Sequence, residues 1–149
     1  MKKIFLLILL TVLACVGAFG QSESFTVKGY QLNLIERDGK CVVSFTKQNK
    51  TDEKSLDIGA PCRFVRMPGN TKAIQSVTYK DLKNATVILV VGGPTSPEQK
   101  DSLMPAGCGT QWQAILLRTT SVTVSKVKSG SVLCPSGGAD EAMFWTASH

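Results

Sequence analysis

Four cysteines constrain this chain more than any other feature of its sequence. Cys41, Cys62, Cys108 and Cys134 follow an apolar N-terminal segment. An even number of cysteines in a small exported domain indicates disulfide bonds. Three pairings are possible. We predict Cys41–Cys62 and Cys108–Cys134, because each bond then closes a short loop within its own half of the chain and contributes about 3 kcal/mol.

The cysteine spacing also argues against a metal centre. A zinc site typically needs CxxC spacing or histidines placed between the cysteines. The chain has no CxxC, and its single histidine is its last residue, His149. We therefore predict neither a structural metal nor a cofactor.

Residues 1–20 have the pattern of a secretory signal peptide. Lys2 and Lys3 precede an apolar run over 4–16. This run is shorter than the roughly 20 apolar residues that span a bilayer, and small residues follow it. We predict cleavage after Gly20.

The predicted mature domain is 21–149, in the periplasm or at the cell surface. It keeps 15 of the 17 basic residues and all 11 acidic ones, since Lys2 and Lys3 lie in the leader. An alternative is lipidation of Cys15, because residues 12–15 (VLAC) are similar to a bacterial lipoprotein processing site. Only that alternative would attach the mature chain to a membrane.

The pattern of apolar residues predicts a mainly β fold. Apolar and polar residues alternate over 25–36, with a change at 28–29 that we interpret as a β-bulge. Asp38-Gly39 predicts a hairpin turn. The run TVILVV (86–91) is apolar on both faces and predicts a central strand. Further strands are predicted at 41–45, 62–65, 73–79, 111–119, 121–127 and 131–134.

The remaining segments predict loops and short helices. Residues 47–57 are polar and charged, which favours an exposed loop. Ser96-Pro97 predicts a helix start, residues 79–84 a helical turn, and the apolar segment 142–147 closes the chain. We expect a single antiparallel β-sandwich or barrel-like domain with one or two short helices and two disulfides.

No motif predicts an enzyme. The S-x-x-K matches at 44–47 and 125–128 lie in predicted strands, where that spacing places serine and lysine on opposite faces. His149 is expected to be mobile at the chain end. Most acidic residues lie in predicted loops and turns, so a small hydrolase with a carboxylate pair is only a third alternative.

Two acid-free segments are the most informative charge feature. Residues 58–80 contain no acid but include Arg63, Arg66, Lys72 and Lys80. Residues 102–139 also contain no acid. If the two segments share a face, the protein offers a positive surface to an acidic partner. The modest net charge and the absence of a recognition motif argue against nucleic acid.

Trp112 and Trp145 complete the candidate binding residues. Tryptophan is enriched at binding hot spots, and Trp145 follows a flexible loop that begins at Cys134. The alternative is that both tryptophans belong to the core.

We therefore expect an exported, non-enzymatic binding module. In size, leader and cross-linking the chain is similar to small exported bacterial inhibitors and immunity proteins, although no matched motif carries this analogy. The second hypothesis is an envelope-associated structural or accessory protein.

Overall fold

The computed structural model describes residues 23–93 and 107–149. The predicted signal peptide, Cys15 and the helix predicted to begin at Ser96 lie outside these ranges. Within them the chain forms a helix, α1 (Glu141–Ser148), a 3-10 turn at Pro135–Gly137, and the strands β1 (Glu23–Val27), β2 (Tyr30–Arg37), β3 (Lys40–Lys47), β4 (Lys50–Gly59), β5 (Arg63–Phe64), β6 (Arg66–Met67), β7 (Asn70–Ile74), β8 (Ser76–Tyr79), β9 (Ala85–Gly92), β10 (Gly109–Leu117), β11 (Val122–Val124) and β12 (Lys128–Leu133).

The first sheet is an antiparallel meander in which β1 to β4 lie side by side in chain order. Each of its three hairpins has a two-residue turn in which both residues have positive φ: Lys28-Gly29, Asp38-Gly39 and Gln48-Asn49. Such turns match the right-handed twist of paired strands. The predicted turn at Asp38-Gly39 is confirmed.

Two predictions for this sheet were wrong. The change of alternation at 28–29 marks a two-residue hairpin turn rather than a bulge. Residues paired across the hairpin, such as Val27 and Tyr30, share a face of the sheet, so the apolar residues change from odd to even positions at the turn. Residues 47–57 include most of β4 rather than a loop. Side chains 50–55 are all exposed, so this edge strand lacks the apolar alternation that identifies strands in a sequence.

The second sheet has the order β11-β10-β9-β5, with β12 also paired to β10 and β8 also paired to β9. All eight residues of β9 are buried. The prediction of a central strand over 86–91 is confirmed. The predicted hairpin between 111–119 and 121–127 corresponds to β10 and β11.

The described residues form three layers. The inner faces of the two sheets pack together, and helix α1 covers the outer face of the second sheet. Leu32 and Val43 of the first sheet belong to one core with Ile88 and Ile115 of the second. A second core joins Phe144 and Ala147 of α1 to the other face of β9 and β10, with Val87, Leu89 and Leu116.

Helix α1 contains the closing apolar segment, to which the sequence assigned no helix. Its N-cap is Asp140, whose side chain accepts a hydrogen bond from the Met143 N–H at 2.8 Å. Short apolar runs are ambiguous between strand and helix. Here the cap and the burial of Phe144 and Ala147 against the second sheet select the helix.

The predicted strand over 73–79 is divided at Gln75. β7 pairs with β6, whereas β8 pairs with β9 in the second sheet. The Gln75 side chain makes two hydrogen bonds with the backbone of Ala139, each of 2.7 Å. The helical turn predicted at 79–84 corresponds to a turn over 80–83, closed by a hydrogen bond of 3.4 Å from the Asn84 N–H to the Lys80 carbonyl, whereas Tyr79 belongs to β8.

Both predicted disulfides are confirmed. Cys41–Cys62 joins β3 of the first sheet to the residue before β5 of the second, and therefore cross-links the two layers. Cys108–Cys134 joins the residue before β10 to the residue after β12. The first bond thus does more than close a local loop, since it holds the two sheets in one arrangement.

Candidate binding cleft

A buried glutamine connects the two sheets. Gln113 of β10 is fully buried between them. Its Oε1 accepts a hydrogen bond from the Asp57 N–H of β4 at 2.7 Å, and its Nε2 donates to the Ser125 carbonyl at 2.7 Å. A buried amide with both groups bonded holds the segments that it joins in a single arrangement.

Between this bridge and the β3–β4 turn, the structure contains an open cleft of about 650 Å³. Loop 118–121, between β10 and β11, forms one wall together with Val122 of β11, and the inner faces of β3 and β4 form the other. Side chains two residues apart on a strand share a face. Leu56 of β4 is therefore core, whereas Lys50, Asp52 and Lys54 on the same face line the cleft.

Two polar contacts are made by residues that line the cleft, Lys47 and Tyr30. Lys47 Nζ donates to the Thr119 carbonyl at 2.7 Å and lies 4.4 Å from the centroid of the Tyr30 ring. The Tyr30 hydroxyl donates to the Arg118 carbonyl at 2.9 Å. These contacts attach the 118–121 loop to the first sheet beside an apolar lining residue, Phe45.

The cleft carries net positive charge. Among the residues that the structure describes, Lys47, Lys50 and Lys54 line it together with a single carboxylate, that of Asp52. Among residues 23–93 and 107–149, none of these lysines forms a salt bridge. An anionic group placed in the cleft would therefore meet ammonium groups that are not already paired with carboxylates.

The predicted basic residues lie elsewhere. Arg66 lies 2.9 Å from the Glu23 carboxylate. Arg63 lies 3.8 Å from Glu23 and 3.6 Å from Glu36. These acids lie on β1 and β2, so folding pairs an acid-free segment with acids from another part of the chain. Lys72, on β7, is exposed, and in the described part of the chain it has no salt bridge.

The two tryptophans have different environments. Trp112 is 5% exposed and belongs to the core beneath α1, so it offers no surface to a partner. Trp145 on α1 is 48% exposed. Its ring stacks on His149 at 3.5 Å between centroids and meets the edge of Tyr79 at 5.5 Å. Because α1 covers the outer face of the second sheet, the structure does not bring Trp145 to the cleft.

His149 makes several contacts with neighbouring residues. Its Nε2 lies 3.0 Å from Asp81 Oδ2, and its Nδ1 lies 3.1 Å from Ser148 Oγ. The hydrogen bond from His149 holds the pKa of Asp81 below its ordinary value. The Ser148 hydroxyl, however, donates to the Phe144 carbonyl at 2.7 Å. A nucleophile there would sit at the negative end of a helix, which disfavours an oxyanion.

Sequence reasoning missed the lysines of the cleft, although a signal was present. Lys50, Asp52 and Lys54 continue the period-two pattern of Leu56 and Ile58 toward the N terminus of β4. That continuation could have indicated a strand whose inner face changes from apolar to charged. Residues 47–55 contain no apolar residue, so the sequence showed no apolar alternation that would identify this part of the strand.

The described residues contain no group of three or more His, Cys, Asp or Glu side chains arranged to hold a metal ion. Within the same residues, no helix is both long and apolar enough to cross a membrane. No protein-family model, curated protein or solved structure matches the chain.

Proposed function

We propose that this chain is an exported, non-enzymatic binding module of the inhibitor or immunity type. It binds an acidic surface of another protein through the cleft between its sheets. The observation that carries the proposal is the convergence of Lys47, Lys50 and Lys54 on one open cleft, with Asp52 as the only carboxylate among the described residues that line it. Acidic side chains of a partner would complement this charge.

The construction of the scaffold supports the proposal. The Cys41–Cys62 bond and the Gln113 bridge join the two sheets that form the cleft. A preformed site loses less conformational entropy on binding, so more of the interaction free energy contributes to affinity. The two disulfides are also consistent with an oxidising, exported environment.

Charge reversal in the cleft tests the proposal. The double variant Lys50→Glu with Lys54→Glu changes only exposed side chains, so we expect an unchanged fold. The immobilised wild-type protein should retain a stoichiometric protein from an envelope extract of the source organism. We expect the variant to bind that protein about tenfold more weakly, and we expect the wild-type interaction to weaken as salt is raised.

A matched control distinguishes the cleft from the acid-free segment singled out by the sequence. Lys72→Glu with Lys80→Glu makes the same charge change at two exposed lysines outside the cleft. We expect this control to bind almost as the wild type does. If the control loses binding while the cleft variant keeps it, the cleft is not the site. If the wild type retains no protein that the cleft variant loses, the proposed function is wrong.

A further inference from the structure

Strand β4 forms an edge of the first sheet. Within the described residues it pairs with β3 on one side and with no strand on the other. Its C-terminal half is covered, because the outward Asp57 N–H is bonded to Gln113. Residues 50–55 are exposed, contain no proline and have a regular register with β3. This part of the edge is therefore open to pairing.

The register identifies which backbone groups point away from β3. The two-residue turn at Gln48-Asn49 makes Lys47 and Lys50 a hydrogen-bonded pair. Alternation then directs the backbone groups of Asp52 and Lys54 toward β3 and those of Thr51, Glu53 and Ser55 outward. The Glu53 N–H donates to the exposed Asp52 side chain at 2.8 Å rather than to β3, which agrees with this assignment, and an added strand would displace that side chain.

The same edge borders the positive cleft. Lys50 and Lys54 point into it from one face of β4, with Asp52 between them. An extended segment could form backbone hydrogen bonds with Thr51, Glu53 and Ser55. Every second side chain of that segment would then lie on the cleft face of the sheet, beside Lys50, Asp52 and Lys54. Glutamates four residues apart in that segment would then meet the two lysines, while a neutral residue between them would face Asp52.

We infer that the partner binds by strand addition, in which an acidic extended segment of another protein pairs with the 50–55 edge of β4. This inference rests on the proposed function and specifies its binding mode. Charge complementarity identifies the segment as acidic. The lysines also hinder pairing with a neutral or basic strand, so they make the edge selective for an acidic one.

Nuclear magnetic resonance with a defined peptide tests the inference. The probe is a threonine–valine peptide with two glutamates four residues apart, and its control has the same composition with the glutamates three apart, on opposite faces of a strand. We expect the probe to bind at least fivefold more tightly than the control. In the complex, the amides of Thr51, Glu53 and Ser55 should gain protection from hydrogen exchange, in an alternating pattern.

Two modifications separate strand addition from attraction by charge alone. N-methylation of the probe at the residues that face β4 removes its ladder donors and should abolish binding, whereas N-methylation at the intervening residues should be tolerated. Ser55→Pro removes one outward donor of the protein without affecting the β3 ladder and should weaken binding at least threefold.

The outcomes distinguish the two claims. Binding that needs Lys50 and Lys54 but ignores N-methylation overturns strand addition and leaves the proposed function standing. Binding that is indifferent to Lys50→Glu with Lys54→Glu overturns both. A β4–β4 dimer of the chain alone, detected by sedimentation and abolished by Ser55→Pro, would identify a second copy as the occupant and overturn the inference.

Discussion

Replacement of Gln113 tests whether one buried amide holds the two sheets together. Gln113→Met keeps most of the side-chain volume but removes both hydrogen bonds, leaving the Asp57 N–H and the Ser125 carbonyl without their partner. An unsatisfied buried backbone group costs about 1–3 kcal/mol. Because both groups are partly buried, we expect a loss of about 2–4 kcal/mol in the free energy of unfolding. The melting temperature should fall by about 6–12 °C.

Urea unfolding followed by tryptophan fluorescence measures this loss, since the buried Trp112 reports on the core beneath α1. The control is Gln31→Met, which makes the same exchange at an exposed strand position and should change stability by less than about 0.5 kcal/mol. The comparison requires that the free energy of unfolding depend on urea concentration with the same slope (m-value) in both variants, because only then does a shift of the midpoint report a change in stability. A Gln113→Met protein within about 0.5 kcal/mol of the wild type would refute the bridging role.

Three further predictions concern the scaffold. Phe144→Ala empties a fully buried position between α1 and the second sheet and should cost about 3–5 kcal/mol by calorimetry; a loss below about 1 kcal/mol would contradict this packing. Replacing both Cys41 and Cys62 with alanine opens a loop of sequence separation 21 and should lower the free energy of unfolding by about 3 kcal/mol, as measured in urea. In this variant, a reducing agent should act only on the remaining Cys108–Cys134 bond. The pKa of Asp81, lowered first by its hydrogen bond with His149, should rise toward its ordinary value in His149→Ala, as measured by carboxyl carbon titration. Because the folded pKa is depressed, this contribution to stability is present above the unfolded pKa and is lost as pH falls through the folded value; an unchanged Asp81 pKa in the variant would rule out the contact.

Much of the fold was predictable because its signals are local. Positive φ at Asp38-Gly39 follows from residue type, and the burial of β9 follows from an apolar run with no polar face. The disulfide pairing followed from loop length. The edge strand β4 and helix α1 were not predicted, because an exposed strand has no apolar alternation and a short apolar run suits either element.

The candidate site was less predictable than the fold. The sequence indicated that positive charge matters, but it located that charge at Arg63 and Arg66. Both arginines contact Glu23, which is about 40 residues away along the chain. The acid-free composition of their own segment therefore did not show that a carboxylate partly neutralises their positive charge. The lysines of β4 have acids beside them in sequence, yet strand alternation places Glu53 on the other face, where it pairs with Arg37.

The sequence by itself determined the mainly β class, the cross-links and the central strand, because these depend on residue type, short spacing and apolar runs. Only the tertiary structure decided which charges remain unpaired. Electrostatic pairing depends on distance through space, and folding brings Glu23 to the arginines while it directs Lys50 and Lys54 into an open cleft. The location of the candidate site is therefore a property of how the two sheets pack.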